Sequence, residues 1–213
     1  AGYISEHTCY HHGEASLHGA IVGLAQNFIG SNNINLLFPS GQYGTRLVGG
    51  KDSASPRYIF TYLAELTRTI IRPEDDPILN YLDDDGVQVE PEYFYPIIPM
   101  VLVNGAEGIG TGFSTFVGKF NPLDLVDNIK LMMQKKQQKE LKPYYRNFTG
   151  TIETVKKNQY IIKGKYTRVN NDTIRITELP IGTWITPYRE FLEKKTEKVG
   201  TANPMIENLK CNY

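Results

Sequence analysis

Cysteine is scarce. Cys9 and Cys211 stand at opposite ends of the 213 residues. That spacing offers neither a metal-ligand cluster nor a disulfide framework, and a reduced intracellular compartment is the default expectation. Net charge is absent as well: 23 basic side chains balance 23 acidic ones. Taken alone, that balance argues against a strong nucleic-acid binder. No apolar run approaches the length that spans a bilayer. The N-terminus lacks the basic-then-apolar order of a secretory signal. No phosphate-binding P-loop motif is present. Position 1 is not Met, and the opening Ala1-Gly2 predicts a piece of something longer. What is there suits a soluble globular chain, 40% hydrophobic and 22% charged. Its length allows one large domain or two small ones with a sizeable core.

The zero net charge hides a segregated pattern. Arg46, Lys51, Arg57, Arg68 and Arg72 face two acidic residues within 41–72. Residues 73–92 hold eight acidic side chains and no basic one, and residues 130–168 hold eleven basic against two acidic. Local fields of this kind attract a polyanion although the whole is neutral.

The most informative stretch runs from Gly49 to Thr61. Glycine, Ser and Pro punctuate its first half, and an apolar, β-branched and aromatic run closes it, so it reads as a loop entering ordered structure. Arg57 and Tyr58 stand at the junction. A tyrosine hydroxyl is a weak nucleophile at neutral pH. A neighbouring guanidinium is always charged and forks onto phosphate oxygens. The pair suits a phenolate attack on a phosphodiester held by arginine, and Pro56 stiffens the approach. An ordinary basic–aromatic pair at an element start would look the same.

Upstream, 5–12 predicts one small helix broken at Gly13. Leu17, Ile21, Leu24, Ala25 and Phe28 then give the spacing of an amphipathic helix over about Glu14 to Phe28. That outline is a helix-turn-helix, although any αα-hairpin would share it. His11 and His12 precede the longer helix with too few neighbouring ligands for a metal site. Imidazoles at a helix start could donate to a phosphate. Asn and Gly clusters between 31 and 46 mark turns around short strands, which would complete a winged helix. Downstream, 87–89 and 93–102 read as strands and 123–133 as a helix begun near Asn121-Pro122. The lysine-rich 134–142 reads as an exposed connection. Segments 150–152, 159–165 and 173–177 alternate like an antiparallel meander, and 187–195 reads as a helix. Lysines of the meander could track a nucleic-acid backbone or simply face solvent. The acidic 74–76 and 83–86 fit no calcium spacing and read as solvated loops.

His11-His12-Gly13-Glu14, Leu24 to Phe28, Gly30 to Leu37, Gly41 to Arg46 and Gly49 to Thr61 stand in an order that resembles eukaryotic-type type IIA DNA topoisomerases. Pro96 to Met100, Asn104 to Gly112, Thr177 to Pro180 and Thr183-Trp184 extend the likeness over about residues 5–192. The chain is similar to the winged-helix and tower part of that family's breakage–reunion core, and a viral member is one candidate source. The resemblance implies an α+β fold, with a winged-helix domain over 1–72 and a mainly antiparallel β tower over 73–213.

It also implies roles. Tyr58 matches the tyrosine that forms a transient 5′-phosphotyrosyl link with DNA, and Arg57 the arginine that holds the scissile phosphate. His12, with His11, matches histidine contacts to that phosphate. Ile109 matches an isoleucine that wedges between base pairs, and Gly105, Gly108, Gly110 and Gly112 would let the backbone approach DNA. Gln42, Arg46 and Lys51 are the remaining candidate DNA contacts. Magnesium and ATP would be bound in the parent enzyme by domains outside this chain. The expected partners are double-stranded DNA and a second copy of the parent, with no membrane. The expected location is the nucleus for a cellular enzyme, or host cytoplasm for a viral one. The fragment alone is not expected to hydrolyse ATP or to cleave DNA efficiently. Ala15, His18-Gly19 and Ile181-Gly182 depart from the common pattern, and the first two bear on drug response rather than on the chemistry. The rival reading is a winged-helix DNA-binding module without chemistry.

Overall fold

The computed structural model describes residues 1–196 and 204–212. Two helices open the chain, α1 (Gly2–His7) and α2 (Glu14–Ala25). The apolar spacing predicts α2 to about Phe28, but the helix stops at Ala25 because Gln26 leaves helical geometry, with ψ 134°. The Gln26 side chain instead donates to the carbonyls of Tyr43 and Gly50. Asn32 donates to the Gly23 and Gln26 carbonyls, so the end of α2 is satisfied by side chains. Leu17 and Ala25 are the buried members of the expected face.

The hairpin expected after α2 takes the form of two isolated antiparallel bridges, Leu37 with Leu63 and Ser40 with Phe60. Phe38 N–H donates to Tyr62 and Phe60 N–H to Ser40, so the segment after Tyr58 is zipped to the segment after α2. A short helix, α3 (Thr67–Ile70), follows.

Eight strands form four separate antiparallel hairpins among the described residues. They are β1 (Tyr81–Asp84) with β2 (Val87–Pro91), β3 (Ala106–Gly110) with β4 (Phe113–Val117), β5 (Thr151–Lys156) with β6 (Gln159–Lys163), and β7 (Lys165–Arg168) with β8 (Ile174–Glu178). The fold is therefore α+β with antiparallel pairing, as expected. The single meander expected over 150–177 is two sheets. Gly164 divides them, so close to the end of β8 that a Cβ would stand 2.2 Å from the Glu178 carbonyl.

A second expectation fails at 93–102. Tyr93 to Pro99 is irregular, and α4 (Met100–Asn104) replaces the strand. Pro96 and Pro99 cannot donate to a ladder, and Pro99 suits a helix start. Ile97 N–H is satisfied by the Ile70 carbonyl instead. Helix α5 (Pro122–Met133) forms where predicted, with Asn121 accepting from Leu123 N–H as its cap. Helix α6 (Ile185–Glu193) is the last regular element among the described residues.

Ile70, Ile98, Val103 and Leu125 make the main core cluster, with Ile34, Phe120 and Leu141 packed against it. It draws residues from both sides of position 72. A buried asparagine stitches the same region: Asn33 donates to the carbonyls of Val103, Phe120 and Tyr144 and accepts from Arg146 N–H. Asn104 binds both backbone groups of Ile34. The chain between α2 and Tyr43 is thus fixed to this core at Asn33 and Ile34. None of the helices is long and apolar enough to cross a membrane among the described residues.

Candidate functional site

The loop from Gly41 to Ser55 is built by close backbone approach. Gly44 has φ +99°, and a Cβ there would meet the Gly50 carbonyl oxygen at 2.5 Å. Gly49 lies under Trp184, where a Cβ would stand 2.4 Å from the indole ring. No larger residue fits either place. Asp52 ties the loop across its mouth, accepting from Thr45 N–H at 2.8 Å and from Thr45 Oγ1 at 2.5 Å. Burial pushes the Asp52 carboxyl up, but the Thr45 hydrogen bonds outweigh it and hold the group below the usual carboxylate range. Tyr43 is buried beneath, its hydroxyl donating to the Phe60 carbonyl at 2.6 Å.

This frame delivers Pro56–Tyr58 as one 3₁₀ turn, closed by Tyr58 N–H donating to the Ser55 carbonyl at 2.9 Å. Sequence pattern alone does not reveal the turn, because the run after it is extended. The turn puts Arg57 and Tyr58 side by side on the surface. The Arg57 guanidinium stands 5.4 Å from the centre of the Tyr58 ring, and its Nε donates to Ser55 Oγ at 3.4 Å. Tyr58 is 70% exposed. The patch thus holds a phenol hydroxyl open to solvent beside a cation of the type that forks onto phosphate oxygens.

His11 and His12 are exposed ahead of α2. His12 stacks edge-on against Tyr10, with centroids 5.3 Å apart. His11 Nε2 donates to Asp84 Oδ2 at 3.0 Å. Asp84 lies in the acidic stretch read from sequence as a solvated loop, and no local spacing signals a contact 73 positions away. Lys51 is exposed on the loop. Gln42 is exposed too, with Oε1 accepting from Gly44 N–H at 2.9 Å.

Arg46 is placed differently from its expected role. Its guanidinium is bonded to the buried Glu178 carboxylate and to the Leu179 carbonyl. Glu178 also accepts from Thr149 N–H and Oγ1, at 3.1 and 3.0 Å. Burial pushes the Glu178 carboxyl up, yet the bonds from Thr149 and Arg46 prevail and hold it below its ordinary range. Arg46 is thereby committed to joining the loop to β8, and it is not free to fork onto a phosphate. Trp184 and Gln26 stand in the blocks that carry the family likeness, but no local pattern announced that the loop packs on them.

Ile109 lies on β3 opposite Ser114, 90% exposed, in a hairpin whose turn Gly112 has φ +78°. It is no buried strand residue. Phe116, opposite Glu107, shares its face, because cross-strand partners point to one side of a sheet. Among the described residues no group of three or more His, Cys, Asp or Glu is gathered to hold a metal ion.

The family profile for the A-type subunit of DNA gyrase/topoisomerase IV matches residues 1–210. The chain belongs to this family. DNA topoisomerase 2-alpha of Sus scrofa is 55% identical over 207 residues, covering 97% of this chain and 14% of the relative. DNA topoisomerase 2 of Pisum sativum is 47% identical over 213 residues, 99% of this chain and 15% of the relative. DNA topoisomerase 2 of Saccharomyces cerevisiae is 50% identical over 192 residues, 90% and 13%. The chain therefore spans about a seventh of these relatives. A crystal structure of the Plasmodium falciparum topoisomerase II DNA-binding, cleavage and re-ligation domain superposes with TM-score 0.89 and 50% identity, over 92% of this chain and 27% of that one. These relatives are cellular and lend no support to a viral source. The topoisomerase family's α+β arrangement is thus shared in three dimensions as well as in sequence.

Proposed function

We propose that this chain is the DNA-cleaving portion of a type II DNA topoisomerase, with Tyr58 as the nucleophile. The observation that carries the reading is the exposed Tyr58 beneath the Arg57 guanidinium, at the end of a loop fixed by Asp52, Gln26 and Trp184. The Tyr58 oxygen attacks a backbone phosphorus and loses its proton. The P–O3′ bond breaks, and the leaving 3′ oxygen takes up a proton. The product is a 5′-phosphotyrosyl link that keeps the energy of the broken ester, so resealing is the same reaction reversed. Arg57 neutralises charge on the non-bridging oxygens, and His12, with His11, donates to the same phosphate. Ile109 enters a base step and bends the duplex. Lys51 and Gln42 supply further contacts along the backbone.

The parent enzyme works as a homodimer, since two strands need two tyrosines. It couples strand passage to ATP hydrolysis in the compartment that holds DNA, the nucleus in a cellular host. Magnesium is held by residues of the parent outside this chain. In this reading residues 1–72 are the winged helix and 73–213 the tower. Tyr58→Phe in the complete parent tests the reading against a binding module without chemistry. Relaxation of supercoiled plasmid is expected to vanish with duplex affinity unchanged. Relaxation at the wild-type rate would overturn it.

A further inference from the structure

The β1–β2 hairpin carries Asp83, Asp84, Asp85 and Glu90 and lies against the segment that joins α1 to α2. Between the two is a cleft of about 560 Å³, with Cys9, Tyr10, His11 and His12 on one side and Asp84 and Glu90 on the other. His11 Nε2 donates across it to Asp84 Oδ2 at 3.0 Å, and the Cys9 thiol bonds to the same carboxylate. Burial, and after it the Asp84 carboxylate, push the Cys9 thiol up, so the thiol adds no charge to the cleft at neutral pH.

We propose that Asp84 belongs to the nucleic-acid site as the group that holds His11 in the DNA-free chain and is displaced from it by a DNA phosphate. The inference rests on the reading of His11 as a phosphate contact. Carboxylate and phosphate oxygens are alike as acceptors, and the His11 Nε2–H can serve one of them at a time. The hold is weak enough to break, because the side chains are 79% and 35% exposed and solvent screens the pair. It is also placed to discriminate. The hairpin belongs to a stretch of eight acidic side chains without a base, which repels any polyanion near the histidines. A backbone phosphate must therefore replace Asp84 on His11 as the duplex seats. Asp84 orients the ring beforehand, lowers the affinity for DNA, and re-engages when the duplex leaves.

The test uses the complete parent protein and a fluorescent duplex, with binding read by anisotropy over a series of salt concentrations. Asp84→Asn is expected to tighten binding at low salt by roughly two- to fivefold, the span of an exposed charge pair. Asp85→Asn removes the same charge one residue away from the contact and is expected to do less. In a His11→Ala background the gain from Asp84→Asn should disappear, since the competition has lost its object. Equal gains from the two asparagine variants, a gain that survives His11→Ala, or weaker binding by Asp84→Asn would each overturn the proposal. A wild-type protein that fails to bind duplex would instead overturn the DNA reading on which it rests.

Discussion

Arg46 and Glu178, 132 positions apart, are bonded to each other in the interior, with side chains 15% and 4% exposed. The contact fastens the loop that presents Tyr58 to the end of β8. It also decides what Arg46 does. A guanidinium held by a buried carboxylate and a carbonyl is part of the frame. Glu178→Gln strands that cation, and breaking such a pair from one side costs about 3–5 kcal/mol. A urea unfolding midpoint lowered to match is the expected result. For Arg46→Met, the slope of log affinity for DNA against log salt should equal that of the wild type. A slope shallower by about one would return Arg46 to the phosphate contacts.

Acid should act through the same residues. Glu178 and Asp52 both have folded-state pKa values below their unfolded ones, so the unfolded chain binds more protons as pH drops. Their stabilisation is complete above the ordinary carboxylate range and is lost as pH falls through the lowered folded values. Unfolding midpoints measured from neutral pH downward should decline through that window. The decline should be shallower in Glu178→Gln.

Asn33 is the second frame element. Its amide faces three carbonyls and its oxygen accepts from Arg146 N–H. Asn33→Asp keeps the shape and turns the donors into acceptors. Each stranded buried group costs about 1–3 kcal/mol, so thermal unfolding should occur well below that of the wild type. An unchanged transition would show that water or rearrangement serves these carbonyls equally well.

Parts of this were open to the sequence and parts were not, for physical reasons. Helices α2 and α5 announce themselves because apolar spacing and, for α5, the Asn121-Pro122 start are local signals. The strands at 151–156, 159–163 and 174–178 are visible through alternation, but their sorting into two sheets depends on the break at Gly164. The apolar run at 93–102 misleads, since Pro96 and Pro99 veto a ladder that composition favours. Arg57 and Tyr58 were legible as a pair because the two groups are adjacent in the chain, and the guanidinium does lie over the ring. Arg46 was not legible as structure, and Asp84 was not legible as a partner of His11. Each is decided by a contact of long sequence separation.

Arg57→Lys probes the geometry beside Tyr58. Lysine keeps the charge but loses the planar fork and the hold on Ser55 Oγ. Cleavage in the parent should slow by tenfold or more, on the order of 1.4 kcal/mol in the barrier, with duplex affinity nearly unchanged. Equal losses in affinity and rate would mean that Arg57 serves binding rather than the chemical step.

Ile109→Ala tests the wedge role proposed for the exposed Ile109 on β3. Bending of a doubly labelled duplex, read by energy transfer, should diminish. Bending that stays at the wild-type level would remove Ile109 from the site.

The central claim is that Tyr58 becomes covalently joined to DNA. The most direct measurement incubates the complete parent protein with magnesium and supercoiled plasmid, stops the reaction with detergent, and maps the residue that carries the nucleotide. The account predicts a phosphotyrosyl adduct on Tyr58 at a DNA 5′ end. An adduct on another residue, or intact DNA binding with no adduct at all, would contradict it.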